Sequence, residues 1–124
     1  MNIFRTRNVG DDWAQVRSEL DRAFQMSRTA AQNEESFVYV VHHDDLLGRR
    51  GPGNAMVATG LLSAARTAAI EGSRKGWTAN VLAYDDDSDP EDVDKWAIRL
   101  AEDAKGLTGE LIRLGASHLG KALP

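Results

Sequence analysis

Residues 37–41 read FVYVV, and the chain after them alternates between two kinds of pattern: NAMVATGLLSAARTAAIEGSRKG (54–76), WTANVLA (77–83), PEDVDKWAIRLAEDAKG (90–106) and TGELIRLG (108–115). FVYVV is a β-branched and aromatic run without polar alternation, as expected of a strand covered on both faces. The spacing then predicts a helix over 55–74, a strand over 78–83, a helix from Pro90 to the stop at Gly106, and a strand over 110–114. Strand–helix–strand–helix–strand with crossovers of this length predicts an α/β fold with a parallel sheet and right-handed connections.

Working outward from that stretch, Asp11 or Asp12 is positioned to cap a helix running to about residue 31. A capping carboxylate accepts from first-turn amides that otherwise lack partners. Trp13, Val16, Leu20, Ala23 and Phe24 recur at helical spacing as one apolar stripe. The helix over 55–74 is rich in small residues, among them Gly60, Ala64 and Ala68. A glycine in mid-helix costs about 1 kcal/mol relative to alanine, so close packing against Gly60 is expected to offset it. In the third helix Asp89 is the cap, Pro90 the first helical residue, and Glu91 and Asp92 favour the positive end of the dipole. Val93, Trp96, Ala97, Leu100, Ala101 and Ala104 form its apolar face. MNIFRT, at the start, is a candidate fourth strand at the sheet edge.

At 124 residues the chain is one domain, long enough to bury about two-thirds of its unfolded surface. Cysteine is absent, which excludes disulfides and thiolate chemistry. The net charge of −4, with acidic runs at Asp44-Asp45 and Asp85-Asp86-Asp87, argues against a nucleic-acid partner. No apolar run approaches the roughly 20 residues of a membrane helix. MNIFRTRN lacks a signal-peptide core, so a cytoplasmic location is expected.

From Trp13 onward the chain resembles the second half of the short-chain dehydrogenase/reductase family, especially its 3-oxoacyl reductases. Asp12-Trp13 resembles the acidic-Trp start of the family's first interface helix. Arg66 and Glu71, followed by Gly76 and Asn80, keep the spacing of the family's Arg…Glu…Gly-x-x-x-Asn. Pro90-Glu91-Asp92-Val93 resembles its helix start, and Thr108-Gly109-Glu110 the beginning of its last strand. The resemblance implies a truncated Rossmann-like sheet without the half that carries the glycine-rich pyrophosphate turn. It also places the family's catalytic Asn on Leu20, its Ser near Val41 or His42, its Tyr on Asn54 and its Lys on Ala58. The Pro-Gly beside the nicotinamide becomes Tyr84-Asp85. The family's carbonyl-protonating phenol, made acidic by a neighbouring ammonium, therefore has no counterpart. No cofactor is expected on this chain alone, and NAD(P) only if a partner chain supplies the missing half.

Ligands of open parallel sheets bind beyond the carboxyl ends of the strands. There His42, His43, Asp44 and Asp45 follow one strand, and Tyr84 to Asp87 follow the next. One reading is an acid–base or metal-assisted site of His42 or His43 with Asp85. The other is a pair of hydrophilic loops, since contiguous HHDD lacks the fixed spacing of helical metal motifs. Asn54, with Tyr84, is a candidate substrate-binding residue; as a helix cap asparagine is also favoured there, and the cap is the stronger expectation. Arg49 and Arg50 among Gly48, Gly51 and Gly53 suit either a phosphate or an exposed basic turn, the latter preferred. His118 is expected in a packing or interface role.

A small sheet has two edges that invite other chains. The resemblance implies that the first two long helices pair with those of a neighbouring subunit. Trp13, Val16, Leu20 and Phe24 with Gly60, Ala64 and Ala68 are the expected interface residues. Three functions follow as expectations: a catalytically silent reductase-like subunit that forms a homo-oligomer or joins a full-length reductase; an enzyme (cyclase, isomerase or hydrolase) using His42/His43 and Asp85; or an oxidoreductase remnant dependent on a neighbour's cofactor.

Overall fold

FVYVV lies at the centre of the sheet, which is why every residue of its strand is buried. The structure, a computed structural model, describes residues 1–116. Its elements are β1 (Asn2–Arg5), α1 (Trp13–Gln32), β2 (Phe37–His42), α2 (His43–Leu46), α3 (Pro52–Ser73), β3 (Ala79–Tyr84), α4 (Pro90–Glu102) and β4 (Leu111–Leu114). The strands lie side by side in the order β1-β2-β3-β4, all parallel, so the candidate strand at MNIFRT is the fourth strand. His118 lies outside the described residues.

Alternation along the central strands divides the core in two. Phe37, Tyr39 and Val41, with Ala79, Val81 and Ala83, pack against α1 and α3. Val38, Val40 and Leu82 pack against Val93, Ala97, Leu100 and Ala101 of α4. Each fully buried Leu or Phe contributes about 1.5–3 kcal/mol of transfer free energy. Trp96 departs from its expected place: it is 37 % exposed, and the Arg99 guanidinium lies over its ring, 5.5 Å from the centroid.

That division corrects the expected handedness. The strand order advances by one place in the same direction at each crossover, yet α1 and α3 cover one face and α4 the other. A parallel crossover changes hand when its helix changes face, so the third connection is opposite in hand to the first two, and a uniformly right-handed set is excluded.

Local signals place the helix ends. Asp12 accepts from the Ala14 amide at 2.9 Å, and Asp89 from the Glu91 amide at 2.9 Å, each closing an N-terminus. The close packing expected at Gly60 occurs at other glycines. A Cβ on Gly60 would meet only Leu20 Cδ2 at 3.8 Å. At Gly53 it would lie 2.2 Å from the Gly10 carbonyl oxygen, and at Gly72 it would lie 2.4 Å from the Trp77 carbonyl oxygen. These two positions let α3 settle onto the first loop and onto the Trp77 turn.

Candidate functional site

Parallel pairing brings the carboxyl ends of β1, β2 and β3 to one rim, with His42 directly opposite Tyr84. The two rings meet edge-on, centroids 5.2 Å apart. His42 is buried, and both of its nitrogens are engaged. Nδ1 accepts the Asp44 amide at 3.1 Å, capping the short helix α2, and Nε2 lies 2.8 Å from Asp86 Oδ1. Because an amide can only donate, the ring's proton belongs on Nε2, where it is donated to Asp86. That hydrogen bond, followed by the ring's charge when protonated, lowers the Asp86 pKa from its ordinary carboxylate value.

The histidine's carboxylate is therefore Asp86, where the sequence pattern had suggested Asp85. Asp85 turns to its own loop: its Oδ1 accepts from the Asp87 amide at 2.9 Å and the Ser88 hydroxyl at 3.1 Å. Its Oδ2 lies 3.7 Å from the Arg113 guanidinium. His43 is buried at the start of α2, its Nδ1 3.5 Å from Asp44 Oδ1 and its Nε2 without a hydrogen-bond partner among the described residues. The rim thus unites His42, His43 and Tyr84 but assigns Asp85 to a turn.

Among the described residues, His42, Asp44 and Asp86 have ligand atoms within 4.8 Å of one another. The donor chemistry does not fit a metal ion. Coordination through Nε2 would leave the ring's proton on Nδ1, facing the Asp44 amide. Coordination through Nδ1 would require the same lone pair that accepts this amide.

Beside this rim a cleft of about 330 Å³ is lined by Val40, Tyr84, Pro90 and Val93, with Arg5, Asp85, Asp86 and Asp94 as its charged residues. Arg5 Nη2 bonds Asp94 Oδ1 at 2.9 Å. Tyr84 is half-buried in this lining.

Asn54 is not the cap of α3. Gly51 holds the cap position without a side-chain bond, and Pro52 opens the helix. Asn54 sits within the first turn, 2 % exposed. Its Oδ1 accepts from the Val9 amide at 2.9 Å, and its Nδ2 donates to Asn8 Oδ1 at 2.8 Å and the Arg50 carbonyl at 3.2 Å. Propensity favoured the cap, but the loop after β1, distant in sequence, presents the Val9 amide to this side chain. Arg49 and Arg50 face carboxylates: Arg49 lies 3.3 Å from Asp44, and Arg50 grips the buried Asp45 at 2.8 and 2.7 Å. That bond raises the Arg50 pKa further above its ordinary value.

Sequence reasoning missed Glu19. It is 4 % exposed within α1, accepts the Arg7 amide at 2.9 Å and binds Arg22 through both guanidinium nitrogens at 2.9 and 2.7 Å. Its only sequence signal was the Glu-x-x-Arg spacing of a helical ion pair.

The expected interface residues separate by burial. Trp13 and Phe24 are 58 % and 59 % exposed, Gly60 and Ala64 are exposed, and Leu20 and Ala68 are half-buried. Val16 is buried at 2 % inside the chain's own core and is corrected from surface to core. Between α1 and α3 runs a groove of about 450 Å³ lined by Leu20, Phe24, Gly60, Ala64 and Ala68, with Tyr39 and Trp77 also lining it.

No family model matches the chain, and no curated protein does. Solved structures do. An oxidoreductase of the short-chain dehydrogenase/reductase family from Burkholderia thailandensis superposes with a TM-score of 0.73 at 19% identity, over 90% of this chain and 61% of that one. A Brucella ovis oxidoreductase of the same family, in complex with a partially ordered NAD, gives 0.62 at 17% identity, over 93% and 62%. A short chain dehydrogenase from Mycobacterium smegmatis gives 0.62 at 18%, over 95% and 60%. The chain thus has the fold seen in these oxidoreductases and spans about three fifths of their length. Among the described residues no helix is long and apolar enough to cross a membrane.

Proposed function

We propose that this chain is a catalytically silent, reductase-like subunit that oligomerises, or joins an active short-chain oxidoreductase, through the outer faces of α1 and α3. The observation that carries this reading is the state of Asn54. The resemblance sets the catalytic tyrosine there, and the side chain found in its place is buried with its acceptor and both amide hydrogens committed to Val9, Asn8 and Arg50. Ala58, at the lysine position, is 1 % exposed in the core. What a reductase uses to protonate a carbonyl has become part of the scaffold.

The partner face supports the same reading. Trp13, Phe24, Met56 and Ile70 leave large apolar side chains exposed on α1 and α3, with the small-residue groove among them. Such a surface is what a helix-packing partner covers. Native mass spectrometry of the tagged protein from its own host tests the proposal. The expected result is a stoichiometric homo-oligomer or a complex with a full-length reductase, neither carrying hydride-transfer activity that depends on this chain's residues. A monomer at every concentration overturns it. Binding of NAD(P) in the complex, abolished by removing this chain, would instead favour an oxidoreductase assembled from two chains.

A further inference from the structure

We propose that His42 is a pH-sensitive latch: uncharged, it holds the Asp44 amide and the turn from Asp44 to Arg49 in place, and a second ring proton releases them. The argument begins with the two nitrogens. A neutral imidazole has one N–H and one lone pair; here the lone pair at Nδ1 takes the Asp44 amide at 3.1 Å and the N–H at Nε2 is directed to Asp86 at 2.8 Å. A second proton can enter only at Nδ1, where the Asp44 amide hydrogen already points. Two donors then face one another, and the amide must leave.

Titratable and charged groups face the ring from several elements. Asp44 and His43 approach from α2, Asp86 from the loop after β3, and Tyr84 from β3 itself, while Arg50 acts on Asp86. Both carboxylates lie beside the ring. The nearest of their oxygens to Nδ1 is Asp44 Oδ2 at 4.0 Å. Protonation therefore exchanges the backbone amide of Asp44 for its side-chain carboxylate, a swap within one residue that cannot leave its backbone in place.

Asp44 is where the segment is gathered. Its carbonyl accepts the Leu47 amide at 3.2 Å and the Arg49 amide at 3.0 Å, and its carboxylate lies 3.3 Å from Arg49 Nη1. A helix of four residues has few backbone hydrogen bonds of its own to hold its first turn once the cap is lost. The release therefore reaches Leu47 and Arg49, while Arg50 stays anchored by the buried Asp45 and by the Asn54 side chain.

The test is a site-resolved titration of the intact protein between roughly pH 8 and pH 5, the range in which imidazoles change charge. Ring nitrogen-15 shifts read the tautomer, separating His42 from His43, while amide exchange reads the latch. At the neutral end Nδ1 should be the bare nitrogen. As His42 gains its second proton, the Asp44 amide, corrected for intrinsic exchange, should lose protection on the order of tenfold together with Leu47 and Arg49. His42→Asn, whose side-chain oxygen occupies the place of Nδ1, should keep the amide protected across the range. An N–H on Nδ1 at neutral pH overturns the proposal. So does an Asp44 amide that stays protected while the His42 ring becomes charged.

Discussion

Asn54 shows how a position can keep its place in a fold and change its work. Its amide group joins the loop after β1 to the start of α3, so truncation leaves the Val9 amide and the Arg50 carbonyl without those bonds. Asn54→Ala should lower stability by roughly 1–3 kcal/mol, read as a lower urea midpoint at unchanged slope. A residue kept for ligand binding would leave that midpoint unmoved. Tyr39 offers a second residue-scale prediction. Burial raises its pKa above the ordinary value, and the Ser27 hydrogen bond opposes this only in part. Because the folded value lies above the unfolded one, Tyr39 supports the fold fully below roughly pH 10 and loses that support as pH rises through the folded value. In Tyr84→Phe, Tyr39 is the sole tyrosine, since the chain has two. Its ultraviolet titration should then fall at higher pH in the folded protein than in urea; coincident curves would count against the burial argument.

The glycines of α3 separate packing within the chain from packing between chains. Gly72 touches the Trp77 backbone, and a methyl there forces the turn apart. Gly72→Ala should cost about 1–3 kcal/mol by overpacking, visible in thermal unfolding. A methyl at Gly60 would make only ordinary contact with Leu20 Cδ2 at 3.8 Å, so Gly60→Ala should stabilise an isolated subunit by about 1 kcal/mol through helix propensity. In the assembled protein the same methyl should weaken association if a neighbouring helix lies in the groove. Measuring unfolding and subunit dissociation on one variant separates these opposing effects; unchanged association would place the interface elsewhere.

At the scale of the whole molecule, the outer faces of α1 and α3 are the proposed contact surface. Phe24→Asp alters a side chain that is 59 % exposed, so the subunit's fold should persist by circular dichroism while native mass spectrometry shows a shift to monomers. Retention of the full assembly would move the interface to another surface. The fold itself was largely legible beforehand. Capping at Asp12 and Asp89, the unbroken apolar run of β2, and the strand–helix alternation are local signals, set by the spacing and chemistry of neighbouring residues. What remained hidden depended on groups far apart in the chain. Asp86, rather than Asp85, meets His42 across 44 positions, and Asn54 meets Asn8 across 46. The face chosen by α4, the burial of Val16 and the separate tasks of Gly53, Gly60 and Gly72 likewise follow from three-dimensional proximity. The sequence determined which segments are helices and strands, because backbone preference and apolar periodicity act over a few residues. The tertiary structure decided which polar groups meet, because a hydrogen bond depends on ångström distances that only the packed sheet sets.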